Sequence, residues 1–153
     1  MEAKSMKPYK VFLLAFISML LTFLYLVPCI VASQHTYVGV EACKMCHEKQ
    51  YRIWEASAHA RAFAILDANQ KTNPKCLSCH TTNGTALFPN VQCEACHGPG
   101  SDYVDMDTMK NFKKVWAAGL NRNVSDTCVK CHNKSSPTFK GFDFKAYWME
   151  IMH

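Results

Sequence analysis

Four short strings carry the chemistry of this chain: Cys43-Lys44-Met45-Cys46-His47, Cys76-Leu77-Ser78-Cys79-His80, Cys93-Glu94-Ala95-Cys96-His97 and Cys128-Val129-Lys130-Cys131-His132. They absorb eight of the nine cysteines and four of the seven histidines. Cys-x-x-Cys-His is the attachment signature of a c-type haem. The two thiols add across the two porphyrin vinyl groups, and two intervening residues let one short turn span that separation. The histidine that follows then lies under the ring and ligates the iron, the second axial ligand being His, Met or nothing. Paired cysteines also build zinc ribbons and the disulfide frameworks of secreted domains. Neither asks for a histidine directly after every second cysteine. With seven His in 153 residues, four such coincidences have a chance of roughly four in a million. The reading is four covalent haems.

Axial ligands can be counted. The motif histidines are His47, His80, His97 and His132, which leaves His35, His59 and His153. Four irons need four distal ligands if all are six-coordinate, so one chain closes at most three with histidine. The fourth takes a Met, a histidine of another chain or no protein ligand. Beyond the leader the methionines are Met45, Met106, Met109, Met149 and Met152, and methionine is more often core filler than ligand.

The elements that must position these groups begin after a leader. Lys4, Lys7 and Lys10 precede an apolar run from Val11 to Val27, which Pro28 ends and Ile30-Val31-Ala32-Ser33 follows. That order is a secretory signal, with cleavage compatible after Ala32 or Ser33. An uncleaved membrane anchor is the alternative, because the run sits at the lower limit for a spanning helix. Cys29 raises a lipid attachment, which Pro28 fits poorly. The division is therefore 1–33 leader and 34–153 tetrahaem domain, placed outside the cytoplasm in the periplasm or an equivalent compartment.

Charge then reads differently. The chain is 49% hydrophobic and 19% charged with a formal net charge of +5, which excludes a disordered chain. Residues 1–33 hold three lysines and Glu2, so the remaining 120 residues keep 14 basic against 11 acidic side chains, a net of +3. Eight haem propionates would turn that to roughly neutral or about −5, counting the irons by redox state. No nucleic-acid partner is expected.

Each haem has about 30 residues to enclose it, too few for an ordinary apolar core round four porphyrins. The haems must be the core, with helices and loops around them. Apolar residues at 51, 54, 58, 62 and 65 follow helical spacing and predict one helix to Leu66. His59 sits in it between Ala58, Ala60 and Ala62, small neighbours that let a ring plane approach the backbone. Residues 67–92 read as loop-rich through Asn73-Pro74, Asn83-Gly84 and Pro89-Asn90, and Gly98-Pro99-Gly100-Ser101 reads as a turn. Helices are predicted over Met106–Leu120, ending near Gly119, and over Asp143–His153.

The chain resembles the tetrahaem c-type cytochromes of the cytochrome c554 family, typified by the electron acceptor of hydroxylamine oxidation. The resemblance runs from about Tyr37 to the C-terminus. It is carried by Tyr37-Val38-Gly39, by Trp54 with Ser57-Ala58-His59-Ala60, and by Asn90-Val91-Gln92-Cys93-Glu94-Ala95-Cys96-His97-Gly98-Pro99-Gly100-Ser101. It implies a mostly α, small multihaem cytochrome fold with helices and loops wrapped round a four-haem core and little regular sheet. It further implies pairing of His97 with His59 and of His132 with His153, and a five-coordinate haem on His80. The family has a histidine two residues after the Ser of Gly-Pro-Gly-Ser, serving the first haem; here that position is Tyr103. His35 is the substitute expected opposite His47.

Extracytoplasmic electron transfer is the leading function, with redox proteins, quinol-linked or other cytochromes, as partners. Two others compete. One open iron could act as a reductase or oxidase of small nitrogen compounds, although only Thr81, Thr82 and Asn83 adjoin the second motif. Alternatively, self-association through haem ligation could build a filament, because ligand donation between copies is heterologous and need not close.

Overall fold

The computed structural model describes Tyr9, Phe12, Leu13, residues 15–20, residues 35–121 and residues 123–153. Contacts divide the chain into Met1–Gln34 and His35–His153. In the first unit the described residues are helical and exposed. Cys29 and the expected cleavage at Ala32 or Ser33 lie outside the described residues. No helix among the described residues is long and apolar enough to cross a membrane.

The second unit is built of short helices: α1 (Val40–Lys44), α2 (Glu48–Ala56), α3 (Pro74–His80), α4 (Cys93–His97), α5 (Met106–Met109), α6 (Phe112–Ala117), α7 (Val124–Cys128) and α8 (Phe144–Ile151). Two 3₁₀ turns, Ala58–Arg61 and Gln70–Thr72, complete it. No strand occurs among the described residues. Among the described residues a single antiparallel bridge joins Thr81 to Pro89. The mostly α architecture with little sheet is as expected.

Local chemistry explains the helix starts. Asn73, Asp105, Asn111 and Asp143 each accept backbone N–H bonds through their side chains at the N-termini of α3, α5, α6 and α8. Such caps contribute about 1 kcal/mol each. Pro74, in the first turn of α3, has no N–H to leave unpaired there. The helix expected through Leu66 ends at Ala56 instead. Ser57 is extended, with φ −79° and ψ 164°, and its hydroxyl donates to the Trp54 carbonyl at 2.6 Å. Trp54 Nε1 donates to Val91 O at 2.7 Å, Val91 N–H to His59 O at 3.1 Å, and Phe63 N–H to Asn90 Oδ1 at 2.9 Å. These long-range bonds hold the chain after Ser57 in a 3₁₀ turn against residues 90–91. The helix expected over Met106–Leu120 is likewise two, because Asn111 caps α6 with its side chain.

Packing runs through the motif-bearing helices: α1 lies on α2 and α4, and α4 lies on α7. The apolar interior is small. Tyr51, Leu66, Leu77, Tyr103 and Val115 are the buried hydrophobic residues among those described, beside the buried polar Thr81, Thr82, Gln92 and Glu94.

Candidate functional site

Each Cys-x-x-Cys-His string is one helical turn. His47 N–H donates to Cys43 O and His132 N–H to Cys128 O, both at 2.9 Å, while His80 and His97 are the last residues of α3 and α4. Residues i, i+3 and i+4 share one helical face, so two thiols and an imidazole emerge together from each turn. No disulfide joins any of the eight motif cysteines.

The turns meet in pairs. The Cys43 thiol contacts that of Cys93, which pushes Cys43 far up and draws Cys93 down. Cys131 lies 3.9 Å from the Ser78 carbonyl and contacts Cys79. Burial, then Cys79, pushes it up to about 12. Burial also pushes Cys96 up to about 11. Among the described residues no group of three or more His, Cys, Asp or Glu surrounds a point that could hold a metal ion. A zinc ribbon needs four such ligands.

The histidines outside the motifs have definite places. His59, on the 3₁₀ turn after α2, faces His132 with ring centroids 6.1 Å apart. His153, after α8, faces His97 at 6.0 Å. This pairing is crossed relative to the one implied by the resemblance, which set His59 with His97 and His153 with His132. A metal binds imidazole nitrogen at about 2 Å, so two rings flanking one ion have centroids about 6 Å apart. Both pairs fit an iron held between two histidines. Burial, and then the facing His132, hold His59 below the ordinary histidine range, and burial first does the same for His97. A neutral imidazole is the form that ligates. His97 Nδ1 is buried without a hydrogen-bond partner.

His80 Nδ1 lies 2.5 Å from the Ala62 carbonyl and His153 Nδ1 lies 2.9 Å from that of Ile151. Each contact fixes the tautomer and leaves Nε2 free to ligate. His132 stacks on Phe142 at 4.9 Å and 15°. His35 is drawn to the Asp102 carboxylate and not to His47. Its arm is not free: Thr36 N–H donates to Ser101 Oγ at 2.9 Å and Ser101 N–H to Thr36 O at 3.2 Å.

Sequence reasoning missed Glu94, one of the two variable residues of the third motif. It is 2% exposed, and its carboxylate accepts from the N–H groups of Val38 (2.9 and 3.2 Å), Gly39 (2.8 Å) and Gly100 (2.6 Å). Gln92 beside it accepts from Val40 N–H at 2.8 Å. The third motif thereby grips the start of α1, which carries the first. Gly100 leaves no room for a Cβ, which would lie 2.9 Å from Val38 Cγ2, so Gly98–Ser101 is more than a turn. Tyr103 is 6% exposed and its hydroxyl donates to Gly98 O at 2.5 Å. Only the peculiarity of an acid within a haem motif could have flagged Glu94.

A cavity of about 60 Å³ lies between the first and third motifs, lined among others by His47, His59, His97, His153, Tyr51 and Trp54.

Residues 42–98 match the family of cytochrome c554 and c-prime, a span that takes in the first three motifs. Cytochrome c-554 of Nitrosomonas europaea is 26% identical over 149 residues, covering 72% of this chain and 63% of that protein. The chain therefore spans less than two thirds of that relative's length. The structure of reduced cytochrome c554 from the same organism gives a TM-score of 0.49 at 20% identity, covering 77% of this chain and 79% of the other. The resemblance to cytochrome c554 thus holds by family match and by sequence.

Proposed function

We propose that the chain is an extracytoplasmic electron carrier holding four covalent c-type haems. In this reading the pairs Cys43/Cys46, Cys76/Cys79, Cys93/Cys96 and Cys128/Cys131 form the thioether links. His47, His80, His97 and His132 are the proximal ligands, with His59 opposite His132 and His153 opposite His97. The observation that carries the proposal is the placing of two non-motif imidazoles about 6 Å from two motif imidazoles, the separation of a bis-histidine iron. The match to cytochrome c554 supports the same chemistry.

The residues have separate tasks. The helical turn of each motif aims its thiols and imidazole at one ring. The carbonyls of Ala62 and Ile151 orient His80 and His153. Burial keeps His59 and His97 neutral and ready to ligate. Bound haem supplies one-electron chemistry, with potentials set by ligation, hydrogen bonding and burial. The small apolar interior is consistent with haems acting as the core. Redox proteins are the partners of this reading, and residues 1–33 are its export signal or anchor.

Pyridine haemochrome analysis and intact-mass measurement of the protein matured in a c-type host test the proposal. Four covalent haems per chain are expected, falling to three when Cys93 and Cys96 are both replaced by serine. Fewer than four in the parent, or bound zinc, sinks it.

A further inference from the structure

We propose that the iron carried by His47 is a second open haem site, beside that of His80, able to take a small sixth ligand such as carbon monoxide or imidazole. The inference rests on the tetrahaem reading above. It follows from where the other donors of the chain are already engaged. His59 faces His132 and His153 faces His97, so two of the three spare imidazoles stand opposite the third and fourth motifs. The remaining one, His35, lies on Asp102, in an arm tied to Ser101 by two further bonds.

The oxygen and sulfur donors are accounted for in the same way. The Tyr103 hydroxyl is committed to the carbonyls of Gly98 and His97, at 2.5 and 3.3 Å. Tyrosine ligates haem iron only through that oxygen. Met45 is 80% exposed inside the first motif itself, and Met106, Met149 and Met152 are exposed as well. Met109 belongs to α5, which packs on α6. His59 and His153 line the same cavity as His47, but their rings face those of His132 and His97, and among the described residues no ring pairs with that of His47. The ligand count from sequence left one iron without a histidine; the geometry leaves two.

Spin state reads this directly, because a five-coordinate ferric haem is high-spin and a bis-histidine one is low-spin. Low-temperature paramagnetic resonance of the purified full-length holoprotein should find two high-spin haems per chain, and carbon monoxide should bind the reduced protein at two per chain. Exogenous imidazole should convert both ferric sites to low-spin. His35→Ala should leave the count at two, whereas His59→Ala and His153→Ala should each raise it to three, which assigns the open pair to His47 and His80 by elimination. A parent count of one or none overturns the proposal, as does a rise in His35→Ala or an unchanged count in either other variant. If a distal variant fails to mature, the parent stoichiometry and His35→Ala still decide. A haem content below four would instead fail the tetrahaem reading, and the haemochrome assay reports that separately.

Discussion

The first and third motifs are joined by protein, the second and fourth hardly at all. Between the first pair, the buried carboxylate of Glu94 gathers three backbone N–H groups from two segments, Gln92 adds a fourth, and α1 packs on α4. Between the second pair, the polar links are the Cys131 thiol's contact with Cys79 and its 3.9 Å approach to the Ser78 carbonyl, the latter beyond ordinary hydrogen-bond geometry for a strong donor. The fourth motif rests on rings, His132 against Phe142 and Phe142 against Tyr147 at 5.3 Å, and on α4 through α7, where Asn121 Nδ2 donates to Cys96 O at 2.9 Å and to Thr127 Oγ1 at 3.0 Å. A buried, fully bonded carboxylate fixes register, because each N–H left unpaired costs about 1–3 kcal/mol. Stacked rings tolerate sliding. One half is therefore clamped by a buried carboxylate, and the other is held more lightly, by ring stacks and by the packing of α7 on α4.

The largest test removes the groups the motifs are proposed to hold. Replacing all eight motif cysteines with serine should abolish the cooperative thermal transition and most helical circular dichroism, since the apolar core is five residues among those described and small domains need staples. Hydrogen exchange should retain its residual protection at Val38, Gly39 and Gly100. A cooperative melt in that variant breaks the comparison, for it would mean the polypeptide assembles both halves unaided.

Glu94→Ala comes next. It strands three backbone donors in a buried site, and the expected cost is about 3–5 kcal/mol, with Glu94→Gln recovering part of it. Chemical denaturation of the haem-loaded protein measures this. Exchange should quicken at Val38 and Gly39 while the amides of α3 stay unchanged. A loss spread evenly over both halves would erase the distinction drawn between them.

What could be read in the chain divides along the same line. The four motifs were legible as helical turns because the chemistry proposed for them, covalent attachment and iron ligation, dictates residue type and spacing within one turn, whatever surrounds it. The helix expected over Asp143–His153 was legible through its apolar residues and runs over Phe144–Ile151, with Asp143 as its cap. The break at Ser57 was not, since the apolar spacing continues past it and long-range bonds from Val91 and Asn90 decide the conformation. Asn73-Pro74, taken as a loop signal, starts α3, because the same two residues cap and open a helix when an apolar turn follows. Glu94 was illegible because a charged side chain is normally solvated; only the fold supplies the three donors that make its burial favourable. The crossed pairing of His59 and His153 depends on the same tertiary contacts.

The smallest effect distinguishes the two halves most finely. Phe142 lies face to face with His132, 15° from parallel, and is half-buried. Phe142→Ala removes that stack and the contact with Tyr147, at a cost of about 1–2 kcal/mol. The damage should be confined to the fourth motif: one low-spin signal in the paramagnetic resonance spectrum should shift or broaden as the His132 ring gains freedom, while the signal of the haem proposed on His97 stays put. The sign of the comparison follows from the number of independent holds. His97 sits in a helix clamped through Glu94 and is followed by Gly98, whose carbonyl takes the Tyr103 hydroxyl. His132 has its aromatic neighbours and the facing His59, and the helix that leads into it is tied back only through Asn121, which joins Thr127 Oγ1 to Cys96 O among the described residues. If both signals moved together, the two halves would be mechanically one, and the buried carboxylate would be a stabiliser of the whole and no longer the positioner of a part.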